Sequence, residues 1–191
     1  MKMDICELNA DFAPYGRVVA GYPFAGLMAA LKRLPASENL VFAPHEERLY
    51  AAPDAEVCGE RFFGGLPYQW GYCSGKNRRA AALRWHGGGQ LCLGAEDFIL
   101  LVARRQDLQD NALPASRVRA FRVPAGVAVE LYDTTLRSLP CSCQGQPFRV
   151  LIGLYYATGS ALALDGALDA QDALLCARNT WQVGLAEEIE V

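Results

Sequence analysis

From about Glu38 onward, apolar residues fall into short runs that are separated by clusters of glycine, proline and other turn-forming residues. Short runs rich in Val, Ile, Leu, Tyr and Phe are typical of β-strands. We predict strands at residues 39–43, 68–73, 79–86, 91–93, 97–103, 117–123, 127–132 and 148–156. Many short strands with turns between them predict a mostly β fold, built as a sandwich or a barrel.

The N-terminal part of the chain carries one helical pattern before the strands begin. Its apolar positions, Phe24, Leu27, Met28 and Leu31, follow the spacing of an amphipathic helix that Pro23 starts and Pro35 ends. Leucines among Ala and Asp at residues 165–179 predict a second short helix before a last strand near Trp181. The polar residues 104–117 are interpreted as an excursion between two strands.

Alternation along the strands places candidate polar residues on defined faces. Arg84 and His86 share one face of their strand, opposite Leu83 and Trp85, and in a later strand Glu130 lies opposite its apolar neighbours. If both polar faces line one barrel interior, Arg84, His86 and Glu130 converge on a small polar ligand. If the faces look outward, these residues are ordinary solvated side chains.

Composition and charge narrow the classes of function. The 191 residues are 52% apolar and 20% charged, which predicts one globular domain over residues 1–191. Eighteen basic and 21 acidic residues give a net charge of −3, without the basic excess that nucleic-acid binding requires. No apolar run is long enough to span a bilayer, and the start lacks a signal-peptide pattern. We therefore expect a cytoplasmic protein with reduced cysteines and neither a nucleic-acid nor a membrane partner.

The histidine count limits the possible metal sites. His45 and His86 are the only histidines, so one chain cannot build a site with three histidine ligands. His45 stands in a charged, loop-like stretch, whereas His86 precedes three glycines and is the better candidate for a ligand or an acid/base. The chain has no P-loop, dinucleotide-binding or nucleophile-elbow motif.

Several segments resemble an uncharacterised family of bacterial cupin-like proteins that is classed as a domain of unknown function. The similar segments are residues 63–77 (FGGLPYQWGYCSGKN), 84–86 (RWH), 96–101 (EDFILL), 121–130 (FRVPAGVAVE), 134–141 (TTLRSLPC) and 178–181 (RNTW). The Pro124-Ala125-Gly126 step resembles the second cupin motif. The resemblance implies a cupin-like double-stranded β-helix, which is a jelly-roll barrel, with a short N-terminal helix and small peripheral helical segments. Cupins are often dimeric and metal-dependent, and many act on sugars and small acids, but a fold this versatile does not fix a function.

The resemblance also implies where a site would lie and how it has changed. Typical members carry Glu, His and Glu at the positions of Arg84, His86 and Gln90, and histidines at the positions of Arg137 and Lys76. Only His86 matches, and the added permanent cations would repel a divalent metal. Arg84, Arg137 and Lys76 in one interior favour an anion, whereas an ion-pair network with Glu130 would neutralise them without any ligand.

The leading hypothesis is a protein that binds a small anionic or sugar-derived metabolite in the barrel, next to a degenerate metal site. We expect His86 and Glu130 as acid/base residues if the protein is an enzyme, and Arg84, Gln90, Arg137 and Lys76 as substrate-binding residues. One alternative is a metal-dependent sugar isomerase or lyase with His86, Glu130 and Gln90 as ligands of a divalent metal. Another is a non-catalytic structural or regulatory dimer. A homodimer with no metal cofactor fits the leading hypothesis.

Overall fold

The computed structural model describes residues 1–191, which form fourteen β-strands and three short α-helices. The strands are β1 Ile5–Glu7, β2 Gly16–Val18, β3 Val41–Ala43, β4 Tyr68–Gly75, β5 Arg79–His86, β6 Gln90–Gly94, β7 Phe98–Arg104, β8 Arg119–Val123, β9 Ala128–Leu131, β10 Thr135–Arg137, β11 Cys141–Ser142, β12 Phe148–Tyr155, β13 Leu175–Ala177 and β14 Thr180–Glu190. The helices are α1 Ala25–Arg33, α2 Glu47–Tyr50 and α3 Ala55–Phe62. All eight predicted strands are present, with ends that differ by at most two residues.

The strands form two sheets. The first has the order β1-β8-β7-β10-β5-β14-β13, with β11 paired to β7, and the second has the order β2-β9-β6-β12-β4-β3. Eight strands at their centres divide into β5-β10-β7-β8 and β4-β12-β6-β9. This division is the Greek-key order of a jelly roll, in which the first strand pairs with the last. The predicted mostly β, cupin-like jelly-roll class is confirmed.

Strand β7 shows why the central strands are apolar at every position. Leu100 and Val102 face the space between the two sheets, where they pack with Phe121. Ile99 and Leu101 belong to a different buried cluster, on the outer side of the first sheet. Both faces of the strand are therefore covered, as its continuous apolar pattern predicts.

The three helices cover the outer face of the second sheet. Leu27 and Leu31 of α1 are fully buried together with Leu49 of α2, Cys58 of α3 and the sheet residue Trp70. The i, i+4 spacing of Leu27 and Leu31 is what places both side chains on the sheet. None of the three helices has the length and hydrophobicity needed to cross a bilayer.

The predicted helix at residues 165–179 is wrong. The structure has only a single 3-10 turn at Asp172–Leu174, followed by β13. Leu168 remains 97% exposed, and of the leucines at residues 168, 174 and 175 only Leu174 packs against the buried cluster of the first sheet. A helix this short needs such packing, because its backbone hydrogen bonds alone do not stabilise it in water. Residues 104–117 form an excursion between β7 and β8, as predicted.

Candidate functional site

A cavity of about 760 Å³ lies between the two sheets. Strands β5, β10 and β14 form the wall on the side of the first sheet, and β3, β6 and β12 form the wall on the side of the second. Four of the predicted site residues line this cavity: Arg84, His86, Gln90 and Arg137. Its volume is within the range of pockets that hold a small metabolite.

The alternation of side chains along β5 places two of these residues, Arg84 and His86, in the cavity. Leu83 and Trp85 are buried on the outer side of the first sheet, so Arg84 and His86 face the cavity. Arg84 lies opposite Gln182 of β14 and opposite Arg137 of β10. Arg84 and His86 share one face of β5, as predicted, and both side chains therefore lie in the site.

Arg137 is the most deeply buried charged side chain on the cavity wall, with 2% of its surface exposed. Its Nε donates to Gln90 Oε1 at 2.8 Å, its Nη1 donates to the Thr135 carbonyl oxygen at 2.6 Å, and its Nη2 lies 2.7 Å from His86 Nδ1. All three partners are neutral acceptors. Burial lowers the pKa of Arg137 to about 10, which still leaves the guanidinium charged at neutral pH.

The contact with Arg137 fixes the protonation of His86. A guanidinium group only donates, so His86 Nδ1 must accept and the proton of the neutral ring stands on Nε2. Burial, and then the charges of Arg137 and Arg84, hold the pKa of His86 well below its usual 6.5. His86 is thus a neutral residue at neutral pH with one N–H to donate.

This depressed pKa predicts a specific pH dependence. Below pH 6.5 the unfolded chain takes up a proton at His86 that the folded protein does not, so the free energy of unfolding falls as the pH falls. His86→Asn, whose amide oxygen can replace Nδ1 as the acceptor, removes this contribution and gives a shallower decline. Urea unfolding of the wild type and of His86→Asn from pH 7 to about pH 5 measures the two slopes. Equal slopes for wild type and His86→Asn would contradict the prediction.

The cavity contains no carboxylate to neutralise its arginines. No Asp or Glu lines it. Arg84 donates from Nε to the neutral Gln182 Oε1 at 2.7 Å, and its side chain reaches solvent. Arg79, at the far end of β5, is bound instead to the surface residues Glu188 and Glu190. The site therefore presents two arginines, Arg84 and Arg137, without an acidic partner.

Glu130 is not part of this site. Val129 and Leu131 are buried between the two sheets, so Glu130 projects from the outer face of β9. There its Oε2 accepts from Arg17 Nε of β2 at 2.6 Å. The predicted convergence of Glu130 with His86 is wrong, and the ion-pair network that would have neutralised the interior does not form.

Lys76 also lies away from the cavity. It follows the end of β4, and its Nζ is 2.6 Å from Glu38 Oε2. Its neighbour Asn77 lines the cavity instead. Lys76 is therefore a surface ion-pair residue, and the cationic character of the site comes from arginine alone.

The residues present do not fit the divalent metal that the resemblance implies. No group of three His, Cys, Asp or Glu side chains in residues 1–191 is arranged to hold a metal ion. His86 Nδ1 is already occupied by Arg137, and Gln90 Oε1 accepts from the same guanidinium. Two cationic groups beside His86 disfavour a further cation. The predicted ligand set of His86, Glu130 and Gln90 does not come together.

Sequence reasoning missed the contribution of β14. Thr180 and Gln182 line the cavity, and Gln182 positions Arg84. The alternation of Thr180 and Gln182 with Trp181 and Val183 is the signal that could have predicted a polar inner face. The apolar wall from β12, formed by Ile152 and Leu154, has no such signal because both faces of that strand are apolar.

The fold and the cavity define a cupin-like jelly-roll protein whose interior carries arginines where a metal site would need anionic or neutral ligands. Within this class, the chain belongs to the family described as "Domain of unknown function (DUF4867)", whose model matches residues 6–190. The family resemblance of the sequence is thereby confirmed. A search of the curated proteins finds no match.

Two solved structures illustrate how distant the structural relatives are. The oxalate decarboxylase from Bacillus subtilis at pH 4.6 is 11% identical and aligns with a TM-score of 0.36 over 65% of this chain and 28% of that chain. Peruvianin-I, described as a cysteine peptidase from Thevetia peruviana latex, is 11% identical with a TM-score of 0.40, over 65% of this chain and 68% of that chain. The present chain thus matches less than a third of the oxalate decarboxylase chain.

Proposed function

We propose that the protein binds a small anionic metabolite in the cavity between its sheets. Arg137 and Arg84 supply the positive charge, and His86 supplies a neutral donor. The observation that carries the proposal is the buried guanidinium of Arg137, which has three neutral partners and no carboxylate. A buried charge without a counterion is unfavourable by several kcal/mol, so a bound anion would stabilise the folded protein.

The hydrogen-bonding capacity of Arg137 supports an oxygen-rich anion. A guanidinium has five N–H donors, and three of them are engaged, which leaves two. Carboxylates and phosphates present several acceptor oxygens within a few ångströms and bind arginine by short, charge-assisted hydrogen bonds. Arg84 adds donors from the solvent-accessible side of the same site.

A thermal-shift and calorimetric screen tests the proposal with inorganic phosphate, acetate, hexanoate and a neutral sugar as probes. We expect at least one anion to stabilise the protein and the neutral sugar to have no effect. Arg84→Gln should weaken anion binding about tenfold, the value of one charge-assisted hydrogen bond. Arg17→Gln removes an arginine outside the cavity and is the matched control, with unchanged affinity. Absence of stabilisation by every anion would overturn the proposal and favour a structural role. The homodimer stays a prediction.

A further inference from the structure

The polarity of the cavity wall differs between its two ends. At the buried end, β5, β6 and β10 contribute His86, Gln90 and Arg137. Beyond Arg84 the β5 wall continues along Ala82, Ala81 and Ala80 to Arg79. The rest of the wall combines the aliphatic and aromatic side chains Leu40, Phe42, Leu139, Ile152 and Leu154 with the polar residues Asn77, Ser138, Thr158, Thr180 and Gln182. Leu40 is 43% exposed, so this apolar part adjoins the opening. The deepest charge is therefore that of Arg137, and an aliphatic and aromatic surface formed by Phe42, Leu139 and Ile152 lies beside it.

Small polar side chains elsewhere on the wall make hydrogen bonds within the protein, but the buried Asn77 Oδ1 has no partner. Ser138 Oγ donates to the Leu139 carbonyl oxygen at 2.6 Å, Thr180 Oγ1 donates to the Arg178 carbonyl oxygen at 3.1 Å, Thr158 Oγ1 accepts from Asn179 at 2.8 Å, and Asn77 Nδ2 donates to the Pro140 carbonyl oxygen at 3.0 Å. The donors left for a ligand include the free N–H groups of Arg84 and Arg137, the Nε2–H of His86 and the amide of Gln182. These groups lie in one part of the cavity.

We propose that the ligand is an amphipathic carboxylate, with its oxygens at Arg137 and Arg84 and an apolar body along Leu139, Ile152 and Phe42. This inference rests on the proposed anion binding and narrows its chemical class. A sugar acid spreads hydroxyl groups over its whole length, and those hydroxyls would face aliphatic side chains without partners, which is unfavourable. A fatty or aromatic acid concentrates its acceptors at one end, where the free donors are.

The length of the apolar wall sets the size of the ligand. Four residues of extended strand, from Arg84 to Ala80, span about 13 Å. That distance accommodates an apolar chain of up to roughly ten carbon atoms. Medium-length acids therefore fill the cavity, whereas acetate occupies only its charged end.

Titration calorimetry with acetate, butanoate, hexanoate, octanoate and gluconate tests the inference on the wild-type protein. Each added methylene group should tighten binding about fourfold, so octanoate, with four more methylene groups, should bind about 250-fold tighter than butanoate. Hexanoate should bind far more tightly than gluconate, which has the same number of carbons. Affinity independent of chain length, or gluconate equal to hexanoate, would overturn the amphipathic ligand while leaving anion binding intact. Failure of all five acids to bind would overturn the carboxylate ligand, and failure of inorganic phosphate to bind as well would overturn the proposed anion binding.

A variant that fills the apolar part separates the two ends of the cavity. Ala82→Leu should weaken octanoate binding at least tenfold and leave acetate binding unchanged, because the added side chain occupies space away from Arg137. Ala186→Leu makes the same change at an exposed position outside the cavity and should bind octanoate as the wild type does. Unchanged octanoate binding by Ala82→Leu, with the cavity arginines still required for acetate, would place the apolar body elsewhere and overturn the inference.

Discussion

Arg137→Met is expected to weaken anion binding at least a hundredfold. The substitution keeps an unbranched side chain of similar reach and removes the guanidinium that supplies the buried charge of the site. Charge-assisted hydrogen bonds contribute about 1.5 to 3 kcal/mol each, and loss of about 3 kcal/mol corresponds to roughly a hundredfold in Kd. Titration calorimetry with the tightest acid of the screen measures the change. An affinity within threefold of wild type would contradict the assignment.

The same substitution should leave the unliganded protein nearly as stable as wild type. Removal of a buried charge that has no counterion offsets the loss of its hydrogen bonds to Gln90, Thr135 and His86. We therefore expect the free energy of unfolding to change by no more than about 1 kcal/mol in urea titrations.

Arg149→Met is the matched control with the opposite pattern. Arg149 pairs with Glu96, and its Nη1 donates to the carbonyl oxygens of Lys32 and Leu34 at the end of α1. Loss of this partly buried pair should lower the free energy of unfolding by about 2 kcal/mol. Anion affinity should be unchanged, since Arg149 does not line the cavity. The two variants thus distinguish an arginine that binds a ligand from one that stabilises the fold.

The candidate site could be predicted only in part. Alternation shows which residues share a face of a strand, but it does not show which face points into the barrel. On β9 the apolar face, with Val129 and Leu131, is interior and Glu130 is exterior. On β5 the assignment is reversed, because apolar Leu83 and Trp85 face outward and charged Arg84 faces the cavity. Both outcomes are possible in a jelly roll whose sheets are covered on their outer sides.

The position of Glu130 depended on a strand that the sequence pattern did not predict. Strand β2 is only three residues long, and its Arg17 gives Glu130 a partner on the outer surface. The contacts of Arg137 could not be predicted either, because its partners Gln90 and His86 lie 47 and 51 residues earlier in the chain. Such pairings are set by the register between strands, which local patterns do not determine.

Two of the three helices also could not be predicted from the local sequence pattern. Helices α2 and α3 have four and eight residues, too few to show a clear helical period, and neither was predicted. They form because the second sheet offers an apolar outer face, at the centre of which is Trp70. Its backbone N–H donates to the Tyr50 hydroxyl at 2.9 Å, and its indole Nε1 donates to the Ala55 carbonyl oxygen at 3.3 Å.

Trp70→Ala is therefore expected to lower the free energy of unfolding by about 3 to 5 kcal/mol, the usual cost of deleting a fully buried large aromatic side chain. Urea unfolding measures this loss, and Trp181→Ala, at a partly exposed tryptophan on the other sheet, should lose less than half as much. Because Trp70 faces the helices and not the cavity, the folded fraction of Trp70→Ala should bind the anion with wild-type affinity at low temperature. A loss of stability no larger than that of Trp181→Ala would show that the helices do not depend on this residue, and weakened anion binding would show that the outer layer shapes the cavity.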